Sequence, residues 1–153
     1  MLVKEIMKKD VAACAPTETL AEVAKLMRER DCGFIPVVNH LGTVVGVVTD
    51  RDLGLAVGGS TRAAERISAA EVMSAPVFGC FADENVKGVL ATMGNHHVRR
   101  LPVLEKEHGH IVGVLSLDDI ALAPHRRGSP TAEEIVDALK RIVSAPPLVA
   151  AAS

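Results

Sequence analysis

Two stretches of the 153-residue chain place a hydroxyl group three residues before a carboxylate, directly after an apolar run. Thr49 precedes Asp52, and Ser116 precedes Asp119. At a helix N-terminus such a pair forms a capping box, although Asp stands here where Glu or Gln is usual. The same groups could instead face a ligand, with Asp binding ribose hydroxyls and the helix N-terminus attracting phosphate. The spacing alone favours the capping box.

Six histidines raise the question of a metal site: His40, His96, His97, His108, His110 and His125. His96 and His97 are adjacent, and His108 and His110 lie in a polar turn. Neither pair has cysteines or carboxylates at a recognisable zinc spacing. The sequence therefore predicts surface histidines and no metal.

The cysteines and hydroxyl groups give no catalytic pattern. Cys14, Cys32 and Cys80 are an odd number of cysteines at no metal-ligand spacing, which is typical of a reducing compartment. A redox pair of Cys14 and Cys80 stays open beside the commoner state of free buried thiols. No Ser-His-Asp or Cys-His grouping and no Walker-type phosphate loop is present. The sequence predicts a protein that is not an enzyme.

An internal repeat determines how these residues are positioned. Residues 7–38 align without a gap with residues 73–104 at an offset of 66, and a one-residue insertion then changes the offset to 67. The alignment pairs Cys14 with Cys80. A duplicated unit of this kind predicts units at residues 1–64 and 65–125, followed by a tail at 126–153.

Each unit has the same order of predicted elements. In the first, Thr19 caps a helix that ends at Cys32-Gly33, strands follow at 34–38 and 43–48, and a helix runs from Thr49 to Gly58-Gly59. In the second, Asn85 caps a helix over 86–93, strands follow at 98–104 and 111–115, and a last helix begins at Ser116. Pro36 and Pro102 lack an N–H donor, which predicts an edge strand or a place where the strand leaves room.

The tail predicts one more helix. It begins within Ser129–Glu134 with Pro130 as the first helical residue, and it ends at Pro146-Pro147. Leu148 to Ser153 is predicted to fray. The helix could pack on its own domain or form a dimer contact.

The bulk composition excludes several classes of protein. Hydrophobic residues make up 48% of the chain, with no Trp, no Tyr and three Phe, so the core must be aliphatic. A net charge of −2 argues against a general nucleic-acid binder. No apolar run is long enough for a signal peptide or a membrane span, so we expect a cytoplasmic protein with no membrane contact.

With both repeats in view, residues 1–125 resemble a tandem pair of CBS domains, or Bateman module, like the small stand-alone bacterial members. The resemblance depends on the strand around Ile35-Pro36, on the segment Gly46 to Leu53, and on their second-unit counterparts. It implies an α/β (α+β) fold of two β-α-β-β-α units related by a pseudo-twofold axis, with their sheets packed together. It also implies two clefts that hold adenosyl ligands such as AMP, ADP, ATP or S-adenosylmethionine, and a homodimer.

The resemblance also implies site residues. The nucleotide motif of the family is matched by Gly46, Thr49 and Asp52, and again by Gly113, Ser116 and Asp119. Asp52 and Asp119 would bind ribose, and Thr49 and Ser116 would lie near phosphate. The residues that would border the adenine are Ile35, Pro36, Leu101 and Pro102, with the backbone around Ala12 and Val77.

The two clefts are expected to differ. Some relatives have basic residues just before the proline strand that meet the phosphate of a ligand whose ribose lies on the other unit. Arg99 and Arg100 match that role, whereas their counterparts Gly33 and Phe34 do not. We therefore expect the Asp52 cleft, with Arg99 or Arg100, to be the better site for a phosphorylated ligand. The alternative for both arginines is a solvated strand edge.

These observations predict a non-catalytic regulatory module that binds an adenine nucleotide between its two units, with no obligatory cofactor. A ligand bridging both units would stabilise one arrangement and change the affinity for an unidentified partner protein. One alternative is a ligand-free dimeric scaffold. Another is a redox or metal sensor that uses the cysteines or histidines.

Overall fold

The computed structural model describes residues 1–144, which form two repeated units and a final helix. The predicted helix end at Pro146-Pro147 and the frayed Leu148 to Ser153 lie outside these residues. Among residues 1–144, no helix has the length and apolar character needed to cross a membrane. The elements in chain order are α1 (Leu20–Glu29), β1 (Phe34–Val38), β2 (Val44–Thr49), α2 (Asp50–Gly58), α3 (Ala69–Val72), β3 (Cys80–Phe81), α4 (Val86–His96), β4 (Arg100–Leu104), β5 (Ile111–Ser116), α5 (Leu117–Leu122) and α6 (Ala132–Val143).

Local signals account for the first unit. The side chain of Thr19 accepts a hydrogen bond from the N–H of Glu22, whose carboxylate accepts one from the N–H of Thr19, so α1 begins with a full capping box. Val23 and Met27 of α1 are buried in the core of this unit. β1 and β2 pair antiparallel, and Cys14 adds one parallel bridge to β1. The predicted order of elements is confirmed.

The second unit repeats this arrangement, but a two-residue strand, β3, takes the place of the single bridge at Cys14. Its sheet has the order β3-β4-β5, in which β4 pairs parallel with β3 and antiparallel with β5. Pro102 therefore lies on a central strand, and the edge-strand alternative is wrong for this residue. β3 pairs with β4 only at Val103 and Leu104, beyond the proline, so the missing N–H interrupts no bond of that ladder.

The first residues of each unit pack on the other unit. The N–H of Val3 donates to Glu84, and Lys8 exchanges two backbone hydrogen bonds of 2.9 Å with Val114 of β5. Val3 is fully buried in the core of the second unit. In the same way, Ser74 exchanges backbone hydrogen bonds with Val47 of β2. The sheet of each unit is therefore extended by a backbone segment from the start of the other unit.

The glycine of the repeated motif makes this exchange possible. A Cβ atom on Gly113 would lie 2.7 Å from Sδ of Met7 and 3.0 Å from the carbonyl oxygen of Lys8. A Cβ atom on Gly46 would collide with the side chain of Met73, the counterpart of Met7. Each glycine thus lets the crossing segment, the backbone around Met7 or Met73, approach the strand closely. This is a packing role.

The core consists of two aliphatic clusters, one in each unit. The first contains Cys14, Ile35 and Val48, and the second contains Cys80 and Leu101. Most of their members are Val, Leu or Ile, joined by Met, Ala and Cys, as the absence of Trp and Tyr predicts.

The final helix, α6, packs on the second unit against α4. Ala138 and Ile142 are buried in that unit's core, and Lys87 forms a 3.0 Å ion pair with Glu134. The helix therefore packs on its own domain. The prediction that Pro130 is the first helical residue is wrong, because Thr131 caps the helix and its side chain accepts from the N–H of Glu134. The Thr131–Glu134 capping box decides where the helix begins.

Candidate functional site

The first candidate site lies where β2 runs into α2. The hydroxyl of Thr49 accepts a hydrogen bond from the N–H of Asp52 at 3.2 Å. In return, Oδ2 of Asp52 accepts from the N–H of Thr49 at 2.9 Å and from its hydroxyl at 2.7 Å. The capping box inferred from the spacing is confirmed. The other oxygen, Oδ1, takes no part in these three bonds and belongs to a half-buried side chain.

The second candidate site repeats this geometry where β5 runs into α5. Oδ2 of Asp119 accepts from the N–H of Ser116 at 2.9 Å, and the Ser116 hydroxyl accepts from the N–H of Asp119 at 3.0 Å. The Ser116 hydroxyl also donates its proton to the same Oδ2. Since each capping hydroxyl has already donated its only proton, neither Thr49 nor Ser116 has a proton left for a phosphate.

The first turns of α2 and α5 are acidic. Asp50 and Asp52 lie in the first turn of α2, and Asp118 and Asp119 in that of α5. These carboxylates already interact with the positive end of each helix. A negatively charged ligand group at either junction would therefore need a separate cation.

Lys8 supplies such a cation beside Asp119. Its Nζ lies 3.6 Å from Oδ1 of Asp119, the oxygen that the cap leaves free. Lys8 reaches this position because its backbone pairs with Val114 on the free edge of β5. The comparison of the clefts made from the sequence considered only Arg99 and Arg100 and missed this lysine. The repeat alignment pairs Lys8 with Ser74, so the charge difference was visible, but its location required the exchanged segment.

Arg99 and Arg100 lie at the start of β4. Arg100 pairs with Ser116 in the antiparallel register, and the carbonyl of Arg99 accepts a 2.9 Å hydrogen bond from the N–H of Leu117. Within residues 1–144, neither arginine forms an ion pair with a carboxylate. Their backbone is thus adjacent to the Ser116 cap, and their pairing with a ligand at Asp52 stays a prediction.

The residues expected to border an adenine belong to the strands beside the caps. Ile35 and Leu101 are buried in the two cores, and Pro36 and Pro102 are also buried. In the register of the first hairpin, Ile35 lies opposite Val48. Their side chains therefore pack the protein, and a role toward a ligand stays a prediction.

A surface cavity of about 360 Å³ lies near the first junction but on the side of Asp50 rather than of Asp52. The cavity is open to solvent, and a Cβ atom on Gly33 would collide with the Asp50 carboxylate that borders it. The residues lining it are Met27, Arg28, Asp31, Cys32, Gly33 and Asp50. No residue of the predicted site lines this cavity.

Cys14 and Cys80 are buried in different units. Each forms part of its own unit's hydrophobic cluster. Burial, with a smaller contribution from the Glu18 charge, raises the pKa of the Cys14 thiol to about 11. Burial, followed by the Glu84 charge, raises the pKa of the Cys80 thiol to about 12. Both groups are protonated at neutral pH, which does not favour a redox pair.

Two repeated units that exchange their leading segments, each with a capped carboxylate at the same strand–helix junction, define a protein made of paired small domains. The chain belongs to the CBS domain family, whose model matches residues 3–58 and again residues 69–126. The resemblance inferred from the sequence is therefore confirmed.

The chain is also similar to three known proteins, two of which are compared first. It is 32% identical over 118 residues to an uncharacterized protein of Methanopyrus kandleri, covering 77% of this chain and 60% of that protein. It is 34% identical over 121 residues to hypoxic response protein 1 of Mycobacterium tuberculosis, covering 77% of this chain and 81% of that protein. A crystal structure of Hypoxic Response Protein I with two coordinated zinc ions has a TM-score of 0.72 at 30% identity and matches 81% of this chain and 100% of that one.

The third similar protein was solved with adenosyl ligands. The CBS domain pair of protein MJ0100, in complex with 5′-methylthioadenosine and S-adenosyl-L-methionine, has a TM-score of 0.72 at 25% identity. The match covers 79% of this chain and 93% of that one. These TM-scores confirm the predicted fold class of two paired CBS units.

Proposed function

We propose that the chain is a non-catalytic regulatory module that binds an adenosyl ligand at one or both strand–helix junctions. The observation that carries this proposal is that the helix cap does not use Oδ1 of Asp52 or of Asp119. Each Asp uses Oδ2 to cap its helix and keeps Oδ1 as a fixed acceptor at a half-buried position. An acceptor held in this way suits the paired hydroxyls of a ribose. The adenosyl ligands of the similar MJ0100 domain pair support the same ligand class.

The two junctions differ in charge, so we propose that they differ in preference. The Asp119 junction has Lys8 within 3.6 Å of its free oxygen, whereas the equivalent position beside Asp52 is Ser74. A ribose that binds Asp119 would therefore displace the exposed ammonium group of Lys8 from this oxygen. The displaced lysine then remains available for a phosphate. At Asp52, the basic groups would be Arg99 and Arg100, as the sequence predicts.

Conservative substitution separates ligand binding from helix capping. In Asp52→Asn and Asp119→Asn, the amide oxygen keeps the cap and the amide nitrogen replaces the outward oxygen. The cap therefore remains while the acceptor for the ribose is lost. We expect each variant to melt within a few degrees of the parent chain. The affinity at the altered junction should fall about tenfold to a hundredfold, which corresponds to one hydrogen bond to a charged group.

The chain itself provides a direct assay. With no Trp or Tyr it absorbs little near 280 nm, so a bound adenine dominates its near-ultraviolet spectrum. Calorimetric titration with AMP, ADP, ATP, S-adenosylmethionine and 5′-methylthioadenosine would identify the ligand, and the 2′-deoxy analogue of any ligand that binds would test the ribose contact. If both Asn variants bind as tightly as the parent chain, the assignment to Asp52 and Asp119 is wrong. If no adenosyl compound binds, the proposed function fails.

Exposed apolar side chains favour a homodimer, which is also the basis of the scaffold alternative. α2 has no buried residue and exposes 61% of Leu55, and Leu122 at the end of α5 is 85% exposed. These helices occupy equivalent positions in the two units, and we propose that they contact a second copy of the chain. Leu55→Asp with Leu122→Asp should give a monomer in light scattering after size exclusion. A dimer that forms without any adenosyl ligand binding would favour the scaffold.

A further inference from the structure

The outer face of α6 carries a stripe of exposed apolar side chains, formed by Val136, Leu139 and Val143. These side chains are 47%, 36% and 59% exposed, and they follow one another at intervals of three and four residues. This spacing places them on one face of the helix. Within residues 1–144, no other helix exposes three large apolar side chains. A row of this kind is typical of a surface that another molecule covers.

The stripe differs from the face by which α6 packs on its own unit. Ala138 and Ile142 are buried in the core of the second unit, and Ile135 packs against that core. Each of these three residues directly precedes a member of the stripe, so the two rows lie about 100° apart around the helix. The core-facing row already holds α6 in place. Polar side chains on the outer row would serve a single chain equally well.

The charges beside the stripe are arranged so that they complement themselves. Asp137 and Lys140 lie along the same edge of the stripe, and Nζ of Lys140 is 3.5 Å from Oδ1 of Asp137. Both side chains are more than half exposed, so this pair contributes little to the helix itself. The first turn of α6 is acidic and its last turn is basic. In an antiparallel pair of α6 helices, opposite charges and opposite helix dipoles therefore lie side by side.

We propose that α6 pairs antiparallel with α6 of a second copy of this chain. A twofold axis beside Leu139 brings Val136 of each copy next to Val143 of the other, which joins the two stripes. The same axis brings Lys140 of each copy to the level of Asp137 of the other. One exposed pair within each chain is thereby exchanged for a pair between the copies. A contact with twofold symmetry requires a self-complementary surface of this kind.

The size of the helix implies a weak contact. α6 has 12 residues and is about 18 Å long, so the contact buries less than the roughly 1,200 Å² at the lower limit of standard interfaces. Such a contact dissociates on dilution during size exclusion and forms at high protein concentration. It would join the homodimers proposed above into pairs, and it would join single chains where that dimer is absent. It depends on neither the adenosyl ligand nor the contact of α2 and α5.

Charge exchange in the full chain tests the pairing. The background is Leu55→Asp with Leu122→Asp, which removes the proposed contact of α2 and α5. Sedimentation velocity should show a monomer at low concentration of this chain and a dimer at high concentration. Adding Lys140→Asp or Asp137→Lys places like charges at both contacts, so each change alone should weaken the association about tenfold. An equimolar mixture of the two should restore it, because every contact then joins opposite charges.

The matched control in the same background is Lys25→Asp on α1. It makes the same change of charge and breaks an exposed ion pair with Glu29, yet it should leave the association unchanged. A mixture that stays monomeric would overturn the proposal, as would Lys140→Asp that associates as strongly as Lys25→Asp. Association that appears only after residues 145–153 are removed would show that this segment covers the stripe, and it would overturn the proposal too.

Discussion

Replacing Gly113 with Ala tests the crossing of the N-terminal segment over the second sheet. The new Cβ atom would lie 2.7 Å from Sδ of Met7 and 3.0 Å from the carbonyl oxygen of Lys8. The methionine can turn away, but the carbonyl is held by its 2.9 Å hydrogen bond from Val114. The backbone must therefore shift, and overpacking of this kind costs about 1–3 kcal/mol.

Gly88→Ala in α4 is the matched control, because a Cβ atom at Gly88 meets nothing within 4 Å. This change should stabilise the helix by about 0.5–1 kcal/mol. Urea unfolding followed by circular dichroism at 222 nm suits a chain without Trp or Tyr. Adding Met7→Ala to Gly113→Ala should recover only part of the loss, since the Lys8 carbonyl remains. If Gly113→Ala were as stable as Gly88→Ala, the close crossing would be refuted.

Two further predictions concern thiols and acid stability. Half-buried Cys32 should react with a thiol reagent at pH 8 well before Cys14 and Cys80, and counting thiols before and after unfolding checks this. Hydrogen bonds from the backbone N–H of Ser68 and from the side chain of Arg62 lower the pKa of Glu71 from 4.5 to about 2. Its contribution to stability is therefore complete above pH 4.5 and is lost as the pH falls toward 2. Glu71→Gln should flatten the plot of unfolding free energy against pH only in that range. An unchanged plot would contradict this prediction.

The sequence predicted the elements well because their boundaries depend on local signals. Thr19, Thr49 and Ser116 cap helices where the spacing of hydroxyl and carboxylate predicts them. Where two local signals were close together, the prediction failed, since the capping box of Thr131 outweighed the preference of Pro130 for the first helical position. The resemblance of both repeats to CBS domains then implied the family and the fold.

Long-range placement could not be predicted in the same way. The position of Lys8 beside Asp119 depends on a segment that pairs with a strand about a hundred residues later, and no local spacing encodes that contact. The contact of His110 with the carbonyl oxygen of Leu41 could not be predicted for a related reason, because it joins two turns that lie far apart in the sequence.

The exchanged segments provide a physical path from a ligand at one junction to the other unit. Only residues 9–13 separate Lys8, which pairs with β5, from Cys14, which forms hydrogen bonds of 3.0 Å and 2.8 Å with Pro36 and Val38 of β1. A ligand that binds Asp119 and displaces Lys8 would therefore act on the edge of the first sheet, provided that its affinity differs between two arrangements of the units. We expect such a ligand to change amide hydrogen exchange at Cys14 and Val38, and Lys8→Met to reduce that change. Exchange that changed only within the second unit would show that the crossing segment does not couple the two units.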